Sequence, residues 1–256
     1  MKNRVTWVFG LLSLAPMVGI PLQAQNGDQT KTPVYTYISE WAVPRAQWPD
    51  MEKVDDQDRP LIDKLVGDGK LTGYGAYTNL LHQEGEATHG TWFTATSEGN
   101  LLKALEAVYA QPGTTTAPVE GASKHWDYML VSRMHNQRSG KSEGGYLAGG
   151  HWDVKPGEMR AYNDLMKSAL VPIYEKLLAD GAITSYGTEV EDFHSEKVGR
   201  VTFYFTTADA SGFDKASKAF DEAFDKSPAL AAAFQSMVDR EGHRDFLYRL
   251  RYMSNK

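Results

Sequence analysis

The chain contains no cysteine among its 256 residues. Disulfide bonds, thiolate nucleophiles and cysteine-based metal sites are therefore excluded, and stability has to come from packing. A lipid-bearing cysteine after the apolar N-terminal segment is excluded for the same reason. The chain is long enough to bury a substantial hydrophobic core in one or two domains.

Basic residues are in short supply, since 27 Lys and Arg stand against 33 Asp and Glu, a formal net charge of −6. An acidic surface repels phosphate backbones, so nucleic acid is not predicted as a partner. The sequence also lacks a glycine-rich phosphate-binding loop, a zinc-binding helix motif and the Gly-x-Ser-x-Gly motif of hydrolases. The sequence therefore contains no motif that identifies a catalysed reaction.

Residues 1–24 predict a secretory signal peptide. Lys2 and Arg4 give a short basic start, an apolar run extends from Val5 to about Leu22, and Ala24 stands at the predicted cleavage site. Cleavage there removes two basic residues and no acidic one, so the net charge falls from −6 to −8. The alternative is an N-terminal membrane anchor. No later apolar run is long enough to span a bilayer, so we expect a periplasmic or secreted bacterial protein without stable membrane insertion.

One segment of the chain occurs twice. TGYGAYTNLLHQE at 72–84 is matched by TSYGTEVEDFHSE at 184–196, which lies 112 positions later. From 60 to 84, ten of twenty-five positions are identical at this offset, whereas chance gives about one or two. The match resumes at an offset of 118, where HWDYMLVSRM faces HRDFLYRLRYM. These matches predict a duplicated unit of roughly 100 residues.

The residue pattern of each unit predicts the element order β-α-β-β-α-β. VYTYISEWAV is typical of a strand, and 46–66 and its counterpart are typical of helices that end at Gly69 and Gly181. Pro60 and Pro172 fall inside these helices and predict a kink or a restart. The second unit carries an extra helix at about 228–240. This order predicts an α+β fold in which a four-stranded antiparallel sheet has two helices on one face, the ferredoxin-like arrangement.

Two such units in one chain resemble the dimeric α/β-barrel superfamily, here as a tandem duplication covering nearly all of 33–253. The resemblance implies an intramolecular pseudo-dimer, in which the sheets of repeat 1 (33–134) and repeat 2 (145–256) pack face to face. We expect linkers at 25–32 and 135–144. The resemblance also implies precedents among cofactor-independent oxygenases and haem-handling enzymes, although none of their residue motifs is matched.

Strand alternation assigns the side chains of the last strands to two faces. The predicted helix-covered face holds Tyr128, Leu130, Met134, Phe246, Tyr248 and Tyr252. The face predicted to point between the sheets holds Asp127, Met129, Val131, Arg133, Asp245, Leu247, Arg249 and Arg251. There, Arg133 and Arg251 either bind an anionic ligand such as a carboxylate or phenolate, or form salt bridges between the sheets.

The first strand of the second unit, GGHWDV, departs from its partner YISEWAV. At an offset of 112, His151 replaces Ser39 and Asp153 replaces Trp41. His151 and Asp153 are predicted to share a strand face, where a carboxylate can orient an imidazole as an acid–base pair. The alternative is a solvated polar strand end. Tyr37 and Trp41 would supply aromatic walls in the other half.

Tyr74 and Tyr186 recur in the middle of strands, each before a glycine, and either pack or contact a ligand. A His-x-Glu pair also recurs, at 82–84 and at 194–196. Two ligands do not make a metal site, so no metal is predicted.

Three functions follow from these observations. The first is the binding of a small aromatic or anionic molecule, with Arg133, Arg251, Tyr37, Trp41, Tyr74 and Tyr186 as ligand contacts. The second is a monooxygenase-like enzyme, cofactor-independent or haem-handling, with His151 and Asp153 as its acid–base pair. The third is a protein-interaction module. The sequence identifies no cofactor. An open interior containing His151 would favour the first two functions, and a filled apolar interior would favour the third.

Overall fold

The computed structural model describes residues 31–82, 84–111, 117–193 and 197–256. The predicted signal peptide and the second His-x-Glu pair, His194 and Glu196, lie outside these residues. Within them, no helix combines the length and the apolar character needed to cross a membrane.

The first half of the chain follows the predicted element order. Its elements are β1 (Val34–Trp41), α1 (Trp48–Gly67), β2 (Gly73–Asn79), β3 (His89–Ala95), α2 (Glu98–Tyr109), the short α3 (Ala117–Glu120) and β4 (His125–Gln137). Pro60 lies inside α1, which is nevertheless one continuous helix. The Ser97 side chain caps α2 by accepting a hydrogen bond from the Asn100 backbone N–H.

The second half repeats the order with additions. Its elements are β5 (Gly140–Glu143), β6 (Tyr146–Val154), α4 (Met159–Leu165), a π-helical segment (Met166–Leu170), α5 (Val171–Ala179), β7 (Ser185–Glu191), β8 (Arg200–Thr207), α6 (Ala210–Lys226), α7 (Pro228–Met237) and β9 (Val238–Asn255). The π-helical segment comes just before Pro172, where a disturbance of the helix was predicted. The extra predicted helix is α7.

Residues predicted as the linker 135–144 form strand instead. They contain the end of β4 and all of β5, which pairs with β9. Gly140, the first residue of β5, and Gly144, directly after it, have φ angles of 139° and 77°, which glycine adopts without strain. The physical reason is that β9 extends beyond β6 and leaves an edge that β5 occupies.

The strands close into an antiparallel barrel. Eight of them follow the order β2-β3-β1-β4-β7-β8-β6-β9, and β9 pairs in turn with β2. Within each half the strands stand in the order second, third, first, fourth. Pairing of β4 with β7 and of β9 with β2 joins the halves. Closure leaves every one of these eight strands with two neighbours, and it buries both faces of the sheet.

The helices pack on the outside of the barrel and form one hydrophobic core against each half. Tyr252 from β9 belongs to the core of the first half, whereas Met134 from β4 packs against the core of the second half. The last strand of each half therefore completes the core of the other half.

The face assignment of the last strands was wrong for most of their length. Tyr128, Leu130, Phe246 and Tyr248 line the barrel interior rather than the helix-covered core. Met129 and Leu247, predicted between the sheets, pack against the helices. Both faces of a closed barrel are buried, so apolar character alone does not say which face is which.

Arg133 and Arg251 are the extra residues of two β-bulges. The ladder between β4 and β7 steps from Ser132 to Met134, and the ladder between β9 and β2 steps from Leu250 to Tyr252. A bulge breaks the two-residue alternation. This is why Met134 and Tyr252 lie on the helix-covered face as predicted, although Tyr128 and Phe246 do not.

The offset between β1 and β6 is 111 rather than 112. Tyr37 lies opposite Met129, and Ala148 lies opposite Leu247, which corresponds to Met129 at the offset of 118. A slip of one residue exchanges the two faces of a strand. His151 therefore corresponds to Glu40 and not to Ser39, and Trp41 corresponds to Trp152 and not to Asp153.

Candidate functional site

Two cavities lie on opposite sides of the sheet of the first half. The side pocket, between the outer sheet face and helices α1 to α3, has a volume of about 270 Å³. The barrel cavity, inside the closed barrel, has a volume of about 140 Å³. For scale, ligand sites begin near about 300 Å³, and an apolar cavity of about 150 Å³ holds benzene.

Aromatic side chains form most of the wall of the side pocket. The rings are those of Tyr37, Trp41, Tyr74, Phe93, Tyr109 and Tyr252. Three of the predicted ligand contacts, Tyr37, Trp41 and Tyr74, thus lie together in one pocket. The fourth aromatic contact, Tyr186, lies in the core of the second half.

The repeated Tyr-Gly pair has a structural explanation. Tyr74 donates a hydrogen bond to Asp63 at 2.7 Å, and Tyr186 donates one to Glu175 at 2.5 Å. A Cβ atom on Gly75 would lie 2.2 Å from the Trp92 ring, so the glycine leaves room for that ring inside the barrel. Gly187 does the same for Tyr204, with an approach of 2.7 Å.

A hydrogen-bonded group of polar side chains lies at one end of the side pocket. The Tyr37 hydroxyl donates to Asp127 at 2.6 Å and lies 3.3 Å from the Tyr109 hydroxyl. His125 Nε2 is 2.8 Å from Ser39 Oγ and 3.0 Å from the Asp127 carboxylate. Burial, together with the Asp127 carboxylate, raises the pKa of Tyr37, so this hydroxyl acts as a hydrogen-bond donor.

Asp58 differs from the other acids of the side pocket. Its half-buried carboxyl lines the pocket and has no hydrogen-bond or ion-pair partner among the described residues. Burial alone raises the pKa of Asp58. At the offset of 112 that relates Pro60 to Pro172, the corresponding residue is Leu170, which is 6% exposed in the core of the second half. The first half thus presents a carboxyl group where the second half packs an apolar side chain.

Acids of α1 neutralise Arg251. Its Nη1 lies 2.9 Å from the Asp55 carboxylate and its Nη2 lies 3.3 Å from that of Asp56. Burial raises the pKa of Asp55 to about 7, and the adjacent Arg251 opposes this rise. Arg133, on the corresponding bulge, is exposed. The predicted direction of both arginines, into the space between the sheets, was wrong because each is a bulge residue on the outer face.

His151 lines the barrel cavity, but Asp153 does not orient it. His151 Nδ1 lies 2.8 Å from Thr202 Oγ1. Asp153 forms ion pairs with Arg200 at 3.1 Å and with Lys197 at 3.0 Å. Burial lowers the pKa of His151 to about 4, so its imidazole is neutral at pH 7. The predicted acid–base pair is therefore separated, because the strand bulges between the two residues.

Two glutamates of the barrel cavity were missed by the sequence analysis. Glu189 is 3% exposed and accepts a hydrogen bond from Thr36 at 2.7 Å. Glu40 accepts hydrogen bonds from Tyr77 at 2.5 Å and from Tyr248 at 3.4 Å. Burial raises the pKa of Glu189 to about 7 and raises that of Glu40 as well. No group of three or more metal-ligating side chains occurs in the described residues.

Comparison with known proteins gives the fold. No family model matches the chain, and no curated protein matches it. A predicted monooxygenase of Lactobacillus acidophilus NCFM has a similar structure, with a TM-score of 0.64 and 11% sequence identity over 88% of this chain and 97% of that one. A predicted monooxygenase of Fusobacterium nucleatum gives a TM-score of 0.61 at 10% identity, over 88% and 95%.

An anthrone oxidase-like protein gives a TM-score of 0.53 at 10% identity, over 88% of this chain and 94% of that one. At such low identity the likeness concerns the fold alone. These proteins are dimeric α/β barrels, and the present chain has the same fold. The resemblance predicted from the duplicated element order is confirmed.

Proposed function

We propose that the chain is a monooxygenase-like enzyme that binds a small aromatic substrate in the side pocket and uses Asp58 as its general base. The observation that carries the proposal is the half-buried Asp58 carboxyl, which faces an aromatic pocket without a partner among the described residues. Two structural neighbours are predicted monooxygenases and a third is anthrone oxidase-like. They support this reading over a simple binding protein.

The chemistry of Asp58 fits proton removal from a weakly acidic C–H or O–H group. A general base works best when its pKa approaches the working pH, and burial moves the pKa of Asp58 in that direction. The aromatic wall orients a flat substrate by stacking. The Tyr37 hydroxyl donates its proton to Asp127, and its oxygen accepts a hydrogen bond from a substrate hydroxyl.

The substrate class is an aromatic carbon acid, such as a methylene group between aryl rings. Asp58 takes the proton from carbon, and the electron pair of the broken C–H bond spreads into the rings. Dioxygen, the co-substrate, accepts electrons from this carbanion and supplies the new carbonyl oxygen. The reaction balances because one diaryl methylene compound and one dioxygen give one diaryl ketone and one water, and the substrate itself is the reductant.

Haem does not fit the described side chains, so no step is assigned to it. His125 is the only histidine that lines the side pocket among the described residues, and its Nε2 is held by Ser39 and Asp127. The barrel cavity, which contains His151, has a volume of only about 140 Å³. That volume suits a molecule of the size of benzene, and a porphyrin is several times larger.

Replacing Asp58 with Asn tests the proposal. We expect oxygen consumption with anthrone-type and phenolic substrates to fall about 100-fold, the lower range for loss of a general base. Asp50→Asn is the control, since Asp50 is an exposed residue of α1 that pairs with Lys53. Asp58→Leu reproduces the residue of the second half and should fold without activity. Undiminished turnover in Asp58→Asn would contradict the proposal, and substrate binding without turnover in the wild type would favour the binding function.

We also infer that each half is a ferredoxin-like unit and that the pair forms an intramolecular pseudo-dimer. The shared strand order and the paired offsets support this inference. The presence of a cavity around His151 argues against a filled interior and hence against a pure interaction module.

Export remains a proposal that rests on the first 24 residues. If it is right, the protein recovered from the periplasm or medium of an expressing bacterium begins at Gln25. The intact mass of the recovered protein checks this start. An intact N-terminus on a membrane-bound product would support the anchor instead.

A further inference from the structure

The barrel cavity contains two carboxyl groups that no side-chain cation balances among the described residues. Neither Glu40 nor Glu189 forms an ion pair there. All hydrogen bonds that the structure gives to these carboxyl groups come from the hydroxyls of Thr36, Tyr77 and Tyr248. A buried carboxylate is costly without a cation. These carboxylates would therefore stabilise a positively charged ligand inside the cavity.

Aromatic rings make up much of the remaining wall of the barrel cavity. They belong to Tyr77, Trp92, Tyr128, Tyr204, Phe246 and Tyr248. Tyr77 and Tyr248 stack with ring centroids 4.2 Å apart and planes 4° apart. Aromatic faces attract organic cations, and carboxylates beside them strengthen the attraction. The carboxylates and the aromatic rings together favour one class of ligand, an organic cation.

The other charged groups of the barrel cavity do not replace that ligand. Arg200 is engaged by Asp153 at 3.1 Å, and the buried imidazole of His151 is neutral at pH 7. Glu86 lies close enough to Glu40 to raise the pKa of Glu40. The balance of charge inside the barrel is therefore negative whenever the glutamates ionise.

The two ends of the cavity differ, although they occupy corresponding places in the two halves. Glu40 corresponds to His151 at the offset of 111, and Tyr77 corresponds to Glu189 at the offset of 112. At the first end, the Glu40 carboxyl is bonded by two hydroxyls. At the second end, Glu189 has a single donor, Thr36, and its Oε2 has no hydrogen-bond partner among the described residues. Oε2 of Glu189 is therefore an acceptor for an N–H donor of a ligand.

We propose that the barrel cavity binds a small organic cation, a protonated primary amine about as large as benzylammonium, with Glu189 as the principal counter-ion. This site is distinct from the side pocket and does not depend on the proposed oxidation. The ammonium supplies three N–H donors, and its hydrocarbon part contacts the rings. The volume of about 140 Å³ accommodates one ring of this size.

Isothermal titration calorimetry at pH 8 tests the proposal with three ligands of similar shape but different charge. Benzylamine should bind, benzyl alcohol should bind more weakly, and benzoate should not bind. In Glu189→Gln the affinity for benzylamine should fall about 30-fold, the effect of removing one partner of a buried charge pair. Asp58→Asn should leave that affinity unchanged, because Asp58 lines the other cavity.

Two results would overturn the proposal. One is benzylamine binding that survives both Glu189→Gln and Glu40→Gln, and the other is loss of binding in Asp58→Asn, which would move the cation to the side pocket. The proton balance gives an independent readout. Because binding ionises Glu189, heats measured at pH 6.5 in two buffers of different ionisation enthalpy should reveal proton release by the wild type and none by Glu189→Gln.

Discussion

Replacing Arg251 with Ala is expected to lower the free energy of unfolding by about 3 kcal/mol at pH 8, the lower range for breaking a buried ion pair. Arg251 is 16% exposed and pairs with Asp55, whose side chain is 4% exposed. Without the guanidinium, Asp55 is left buried without a cation. Urea denaturation at pH 8, where Asp55 is ionised, measures the loss.

The loss should shrink as pH falls. Burial raises the pKa of Asp55 from 3.8 to about 7, so below pH 7 the carboxyl is increasingly neutral and needs no cation. Arg133→Ala is the matched control, because Arg133 is the extra residue of the corresponding bulge but is exposed. Its effect should stay within about 0.5 kcal/mol. Equal losses in both variants would assign the effect to the bulges rather than to the ion pair.

The last strand, which carries Arg251, also helps to form the side pocket. Arg251 and Tyr252 come from the last strand, yet they pack against α1 of the first half, and Tyr252 lines the pocket beside Asp58. The Arg59 guanidinium lies 4.1 Å from the centre of the Tyr252 ring. The proposed active site of the first half is therefore completed by residues more than 190 positions later in the chain.

The fold was predictable because its signals are periodic and occur twice. Helix stops at Gly69 and Gly181 and the repeated Tyr-Gly strands fix the element order, and four strands with helices on one face need a cover for the other face. The directions of individual side chains were not predictable in the same way. Alternation identifies two faces without naming them, and the bulges at Arg133 and Arg251 change the face without a sequence signal.

The candidate site was only partly within reach of the sequence. Tyr37, Trp41 and Tyr74 were recognised as aromatic contacts, and they do line one pocket. Asp58 had a signal that was not used, since at the offset of 112 it stands against Leu170. No sequence signal marked Glu40 and Glu189 as site residues, because an acid on an alternating strand is typical of a solvated face. Only closure of the barrel buries them.

Replacing Glu189 with Gln is expected to stabilise the protein by about 3 kcal/mol above pH 7 and by little near pH 4.5. Burial raises the pKa of Glu189 from 4.5 to about 7. Between these values the folded protein keeps a proton that the unfolded chain has released. Unfolding then releases a proton, so a rise in pH favours unfolding, and the cost reaches its full size above pH 7. Glutamine has no proton to lose and avoids this cost.

The test is to measure the free energy of unfolding of the wild type and of Glu189→Gln from pH 4.5 to pH 8.5. The difference between the two proteins at each pH separates the effect of Glu189 from that of the other buried acids. Thr36→Val is the control for the sign, because the Thr36 hydrogen bond lowers the pKa of Glu189 and its loss should move the midpoint of the difference to higher pH. A flat difference would mean that Glu189 is ionised throughout. A cation already present in the barrel would produce that result, and benzylamine should then bind only after its removal.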